Sequence, residues 1–404
     1  MPGPPERADL TVVGGGVIGL AVGRELATRH PGLRVCVLER ESRLAAHQTG
    51  HNSGVIHAGV YYAPGSLKAR LCADGAGELY AFCAAHEIPH ERCGKLILAT
   101  APAELGRLDQ LELRARRSGV PGLRRLGPDD VRELEPHAAA LAGLHSPNTG
   151  IVDFASVAEA LADDLRQAGG RVETGCGVLG VTSHGRGLRL RHARGTLETR
   201  AAVFCAGAWA DRLAAISGAD PDPRIVPFRG AYLALRAPRR TLVRSLIYPV
   251  PDPRLPFLGV HLTRTIGGGV LIGPSALVVG ARDAYDVRRV RATDLADTLS
   301  WPGTWRMVRR HWRAAIGELA HAALPVTLVR AAARLIPELD PADVEPSFAG
   351  IRAQAVGRDG RLVDDFVFSR TDRAIHVRNA PSPGASAALA IARHVADRVD
   401  RELV

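Results

Sequence analysis

The run Leu-Thr-Val-Val-Gly-Gly-Gly-Val-Ile-Gly at residues 10–19 constrains the fold more than any other stretch of this chain. An apolar strand at 10–13 enters a turn, Gly14 to Gly19, and a helix follows with Ile18, Ala21, Val22 and Leu26 on one face. A second strand, "LRVCVLE", ends at Glu39. G-x-G-x-x-G set between strand and helix, with a carboxylate about twenty residues on, is the signature of a dinucleotide-binding βαβ unit. Gly14 permits the tight turn, Gly16 lets a pyrophosphate approach the backbone, and Gly19 lets helix pack on strand. Val17 and Ile18 place the first helical N–H groups against the phosphates, where the helix dipole favours negative charge. Glu39 is placed to accept hydrogen bonds from a ribose diol and would repel a 2′-phosphate. The glycines alone leave NAD and FAD both open.

With 404 residues the chain exceeds one ordinary core, so two domains are expected. Its net charge of +10 is carried almost wholly by scattered arginine, with lysine only at Lys68 and Lys95. Aromatics make up only 4% of the chain, which leaves few stacking platforms, so nucleic acid is not expected as a partner. The N-terminal "MPGPPERADL" lacks the basic and apolar regions of a signal peptide, and no apolar run reaches the ~20 residues of a spanning helix. Six cysteines, at 36, 72, 83, 93, 176 and 205, show no metal-type spacing and read as reduced thiols. No metal is expected. These features predict a cytoplasmic protein, with room for a peripheral position at the inner face of the membrane.

The stretch after the second strand, "HQTGHNSGVIHAGVYY" (47–62), has no helical period and holds three histidines, three glycines and two tyrosines. In flavoproteins with such a βαβ unit the chain leaves the second strand and runs along an extended FAD towards its ring; this stretch resembles that path, which favours FAD over NAD. Gly54 allows close approach, Thr49, Asn52 and Ser53 offer groups for phosphate or ring heteroatoms, and Gln48 and Val55 are expected among the cofactor contacts. His47 and His51 are expected to order the loop.

These residues carry a resemblance. "GGGVIG", "LER", "HQTGHNSGVIHAGVYYAPGSLKARLC", "CGKL", "PFRG", "IYPVPDP", "PFLGVHLTR", "AGIRAQ" and "NAPSP" together resemble the FAD-dependent L-2-hydroxyglutarate oxidases and dehydrogenases. That family is a branch of the D-amino-acid-oxidase-like superfamily, and the likeness runs from about residue 8 to about 395. The chain departs from the family pattern at Ala231, where an acidic residue is usual, at Ser275, usually Asn, and at the opening of the last helix, "SPGASAALAIARHV".

The resemblance implies an α/β fold: a discontinuous Rossmann-like FAD-binding domain and an α+β substrate domain on a mainly antiparallel sheet. The expected FAD segments are 1–75, 149–215 and 346–404; the expected substrate segments are 76–148 and 216–345. Helices are predicted at 156–168 and 386–399, and arginine-rich helices at 305–334. Further cofactor contacts follow from the resemblance. Arg40 ends the second strand, Val178 passes the adenine, and Ala206, Gly207 and Trp209 end an apolar strand at the cofactor. Pro383, Gly384, Ala385 and Ser386 would bring N–H groups to the flavin edge. FAD is expected to be held without a covalent link.

Oxidising a 2-hydroxy acid moves hydride from Cα to flavin N5 while the hydroxyl loses a proton. It needs a base and a cation for the carboxylate. His57 and His261 are the two candidate bases, and the sequence does not choose between them. Arg352 aligns with the arginine that clamps the substrate carboxylate in related amino-acid oxidases, and it also counts among the cofactor contacts. Tyr62, Arg229, Tyr248 and Arg264 are candidates for binding the rest of a 2-hydroxy dicarboxylic acid. The electron acceptor, whether oxygen, a quinone or a carrier protein, and the oligomeric state are not readable. The competing expectation is a related FAD-dependent amino-acid, amine or glycerol-3-phosphate enzyme.

Overall fold

The apolar strand Arg7–Val13, buried at six of its seven positions, is the centre from which the first half of the molecule is built. In the computed structural model, which describes residues 3–255 and 257–403, it pairs in parallel with Val35–Leu38 on one side and Gly195–Phe204 on the other. Arg171–Glu173 and Ala374–Asn379 extend the parallel run at its two ends. The early half of Gly195–Phe204 also pairs antiparallel with Gly187–His192, which in turn pairs with Val178–His184, giving the hairpin that the alternating "LRLRHARGTLETRAAVF" predicts.

Helices Val17–Arg29, Phe154–Gln167 and Ala388–Glu402 contribute to one apolar core on this sheet, with Leu20, Leu26, Leu161, Leu165, Ile391 and Val395 buried. Asp153 caps the second of these helices, its carboxylate accepting from Ala155 N at 2.9 Å. The predicted helices 156–168 and 386–399 thus lie within one to three residues of those observed at either end. The last one starts at Ala388, because the preceding residues form a turn rather than a first helical turn.

Among the described residues the second sheet has nine strands and, apart from the parallel pair Lys95–Ala99 with Leu246–Pro249, is antiparallel. Its longest members, Arg224–Leu235 and Val344–Val356, pair along nearly their whole length. The third segment, expected from 346 in the FAD domain, therefore begins inside a strand of the other sheet. At the other expected boundary, residue 75 falls within helix Leu67–Ala85, whose Leu71, Leu79 and Phe82 join the core of the first sheet. Both differences arise from long-range packing that local patterns do not encode. A small third sheet, Val55–Ile56, Gly150–Val152 and His90–Glu91, anchors the histidine-rich loop. The predicted helices at 305–334 are Pro302–Ala323 and Pro325–Ala333. Of "PFLGVHLTR", Pro256 lies outside the described residues.

Candidate active site

A cavity of about 870 Å³ runs from the glycine loop, past the histidine-rich loop, to the face of the antiparallel sheet. At its first end the glycines do what their spacing demands. Gly14 has φ +122°, and a Cβ there would collide with the Cys205 carbonyl; one on Gly19 would collide with the Gly14 carbonyl. A Cβ on Gly16 would meet only Thr49 Oγ1, at 3.1 Å. Helix Val17–Arg29 opens at Gly16, which has no side chain to cap it, and has no acidic residue in its first turn, so its positive end faces the cavity with no charge to offset it. That is a cradle for a pyrophosphate. Buried Glu39 accepts from Gly15 N at 2.6 Å and Glu41 N at 2.8 Å, which fixes the carboxylate and leaves lone pairs for a diol. The Arg40 guanidinium lies 4.0 Å over the Trp209 ring, beside Val178, Ala206 and Gly207.

The loop after Glu39 is ordered by its own side chains. Thr49 Oγ1 accepts from Val17 N at 3.1 Å. His47 bridges Glu41 and Tyr285, and His51 stacks on Tyr285 with ring centroids 4.1 Å apart. Two expected contacts are reassigned here. The Asn52 amide donates to the Gln48 and Thr49 carbonyls and accepts from Gly54 N, so it holds the loop although it also lines the cavity. Gly54 is not in the lining: its φ is +73° and a Cβ would sit 2.6 Å from the Val152 carbonyl, so it is required for packing. Gln48, Ser53, Val55, Pro383, Gly384, Ala385 and Ser386 do line the cavity. Ser386 Oγ accepts from His57 N at 3.0 Å and donates to the Val55 carbonyl at 3.2 Å, tying the C-terminal turn to the histidine loop.

At the far end His57, Tyr248, His261 and Arg352 converge. The His261 ring stacks on Tyr248 at 4.0 Å, and its Nδ1 lies 2.8 Å from the Gly259 carbonyl. A carbonyl only accepts, so Nδ1 carries the proton and Nε2 is left with a lone pair. Burial pushes its pKa down to about 4, so the ring is neutral at pH 7. Burial also holds His57 well below the ordinary histidine value, with further repulsion from Lys95 and His261, and its Nδ1 has no hydrogen-bond partner among the described residues. Arg352 keeps accessible surface, but that surface faces the cavity within an enclosing shell of protein, and burial lowers its pKa. Its Cζ lies 4.3 Å from the Phe257 ring centroid, and no carboxylate among the described residues is within salt-bridge distance. An unpaired cation here is the partner a substrate carboxylate needs.

Three substrate candidates fall elsewhere. Phe228, Gly230 and Tyr232 line the cavity, so Arg229, between them on the same strand, points away and donates Nε–H to the Tyr285 carbonyl. Arg264 pairs with Glu91 at 2.9 Å and donates to the Arg244 carbonyl. Tyr62 is buried against Ala69 and Cys72, outside the lining. Conversely, Tyr232, Phe257 and Glu318 line the cavity and were not expected. Tyr232 could have been found from the period of two shared with Phe228 and Gly230. Glu318 reaches the rim from a helix distant in sequence, with Oε2 accepting from Ala276 N at 2.6 Å.

Comparison with known proteins bears on this geometry directly. Residues 9–398 match the model of the family described as FAD dependent oxidoreductase. The chain belongs to that family. FAD is its cofactor, and the helix N-terminus at Gly16, Glu39 and the long cavity fit it. Curated relatives include the mitochondrial L-2-hydroxyglutarate dehydrogenases of Nematostella vectensis (44% identical; 98% of this chain and 91% of the relative) and Homo sapiens (42%; 97% and 89%). The L-2-hydroxyglutarate dehydrogenase of Indibacter alkaliphilus is 41% identical, covering 94% and 96%. The resemblance read from the motifs is therefore borne out. The cytoplasmic placement is not: similar relatives are described as mitochondrial, and the composition of an N-terminal stretch does not outweigh that. Among solved structures, the FAD-bound L-α-glycerophosphate oxidase of Mycoplasma pneumoniae shares the fold (TM-score 0.80, 23% identity, 98% of this chain and 95% of that one). So does the glycine oxidase of Geobacillus kaustophilus (TM-score 0.73, 24% identity, 99% and 96%).

Proposed function

We propose that this enzyme oxidises L-2-hydroxyglutarate, or a close 2-hydroxy acid, to the 2-oxo acid. The observation that carries the reading is the unpaired Arg352 guanidinium in one cavity with the neutral His261 and His57, together with relatives bearing that activity in their names. Arg352 pins the carboxylate by a bidentate pair. His261 Nε2 takes the hydroxyl proton, and Tyr248 fixes the plane of its ring. Bound FAD supplies the acceptor for the hydride that leaves Cα. Tyr232 and Phe257 close the site against water.

With carboxylate, hydroxyl and Cα–H each assigned a direction, only one hand of substrate fits. L-2-Hydroxyglutarate should bleach the flavin anaerobically, and the D-enantiomer should not. Equal bleaching by both, or bleaching by glycerol-3-phosphate alone, would transfer the reading to the related oxidases.

A peripheral membrane contact is supported by helix Pro302–Ala323, which is kinked at His311. Trp305, Trp312, Ile316 and Leu319 each leave more than half of their surface exposed at helical spacing, next to exposed Arg309 and Arg313. An apolar stripe bordered by arginine suits an anionic lipid surface. Among the described residues no helix is long and apolar enough to cross a bilayer. The protein should co-sediment with phosphatidylserine-containing vesicles, less so at high salt, and the double variant Trp305→Ser/Trp312→Ser should not. Failure of the wild-type protein to bind, with dimers seen by light scattering, would instead assign the stripe to a second copy.

A further inference from the structure

This chain has 52 lysines and arginines, of which only Lys68 and Lys95 are lysine. Both are buried, and both lie near the histidine-rich loop. Lys68 is neutralised by Asp364, 2.9 Å away. Lys95 has no accessible surface, and its Nζ has no hydrogen-bond acceptor among the described residues. It stands at the start of strand Lys95–Ala99, with Nζ 4.5 Å from the Tyr61 ring centroid and 5.2 Å from that of Tyr248. Tyr248 is therefore held between the Lys95 ammonium and the stacked His261 ring. Arginine would hold a permanent charge at this place, whereas a lysine can carry the charge or release its proton.

We propose that Lys95 is a positioning residue of this active site: behind Tyr248 and the cavity wall, its charge adds to burial and extends to lower pH the range in which His57 and His261 stay unprotonated, so that a histidine can accept the hydroxyl proton. This rests on the proposed oxidation.

The groups around it allow that role. The histidine loop contributes His57 and Tyr61. Helix Leu67–Ala85 contributes Lys68, already paired, and Cys72, a thiol that burial pushes up to about 12 and which is thus not a counter-anion. Strand Leu246–Pro249 contributes Tyr248, and strand His261–Arg264 contributes His261 and Thr263. Arg352 approaches His261 from Val344–Val356, and Tyr232 stands on Arg224–Leu235. Ser146 pairs with Lys95 across the strand. No carboxylate is in this set, so the effect of a positive charge on the two imidazoles is uncompensated. Both are repelled by Lys95, and the neutral form is favoured. Burial brings the Lys95 pKa down to about 7, so it is charged through the range in which the histidines titrate.

The test is the pH profile of kcat/KM for Lys95→Met holoenzyme, beside imidazole titrations of the same protein by NMR. Methionine has a similar length and no charge. Without the repulsion, the acid limb of kcat/KM and at least one of the two imidazole titrations should move up by about one pH unit. FAD content should be unchanged, and Tm should not fall, because an unpaired buried amine is removed. Lys95→Arg, which stays charged, should keep the wild-type limb. Imidazole titrations unmoved in Lys95→Met would overturn the proposal. So would a uniform drop in rate with the limb in place, which would mark a merely structural lysine. The NMR arm needs no turnover, so a wild-type enzyme that ignores L-2-hydroxyglutarate would count against the substrate reading alone.

Discussion

Replacing His261 with Asn should lower kcat by roughly 10²- to 10⁴-fold, the usual contribution of a positioned general base. Asparagine preserves the polar contact with the Gly259 carbonyl but has no lone pair where Nε2 stood. The prediction assigns the base to His261 rather than His57 because only the former has its tautomer set by a carbonyl at 2.8 Å. His57→Asn should cost less, about tenfold, the equivalent of one hydrogen bond of ~1.4 kcal/mol. The pH profile provides the second check. Since burial holds the His261 pKa near 4, wild-type kcat/KM should be flat from neutral pH downward and fall only below about pH 5. In His261→Asn that acid limb should vanish. A larger loss in His57→Asn, with the limb retained in His261→Asn, would exchange the two roles. Stopped-flow flavin reduction under anaerobic conditions isolates the step.

What the sequence revealed, and what it hid, follows from the range of the forces involved. The glycine loop is legible because each of its constraints is local: Gly14 must turn, and Gly19 must pack on a carbonyl five residues before it. His57, Tyr248, His261 and Arg352, which line one cavity, could be picked out because each sits in a motif whose neighbours resemble a family. Arg229 and Arg264 misled because a cation next to a motif says nothing about which face of its strand it occupies; a register offset of one residue sends Arg229 to Tyr285 and Phe228 to the cavity. Tyr62, in the turn before helix Leu67–Ala85, is buried against Ala69 and Cys72 of that helix, and nothing in its local sequence says so. Lys95 was visible as one of two lysines, yet its seat under Tyr61 and Tyr248 depends on pairing Lys95–Ala99 with Leu246–Pro249, about 150 residues away. The same kind of contact, Arg224–Leu235 with Val344–Val356, displaced the expected boundary at 346. Side-chain chemistry is encoded locally, but the enclosure that makes it reactive is assembled from afar.

Arg352→Lys should separate a carboxylate clamp from a cation that merely lines the cavity. Lysine keeps the charge but loses the planar fork, and hydrogen bonds to charged groups contribute ~1.5–3 kcal/mol. kcat/KM should therefore fall by roughly 10- to 150-fold. How the loss divides is informative. A rise in KM alone would mean that Arg352 binds the ground state and the transition state equally; a fall in kcat as well would mean that it aligns Cα with the flavin. The second outcome is expected, because stacking on Phe257 at 4.3 Å holds the guanidinium in one orientation that an ammonium on a flexible stem does not reproduce. FAD content should remain that of the wild type, since the glycine loop, Glu39 and Thr49 lie at the other end of the cavity. Wild-type kinetics in the variant, or loss of flavin with substrate affinity intact, would remove Arg352 from the carboxylate, and Tyr232 and Tyr248, which line the same cavity, would then be the next side chains to test.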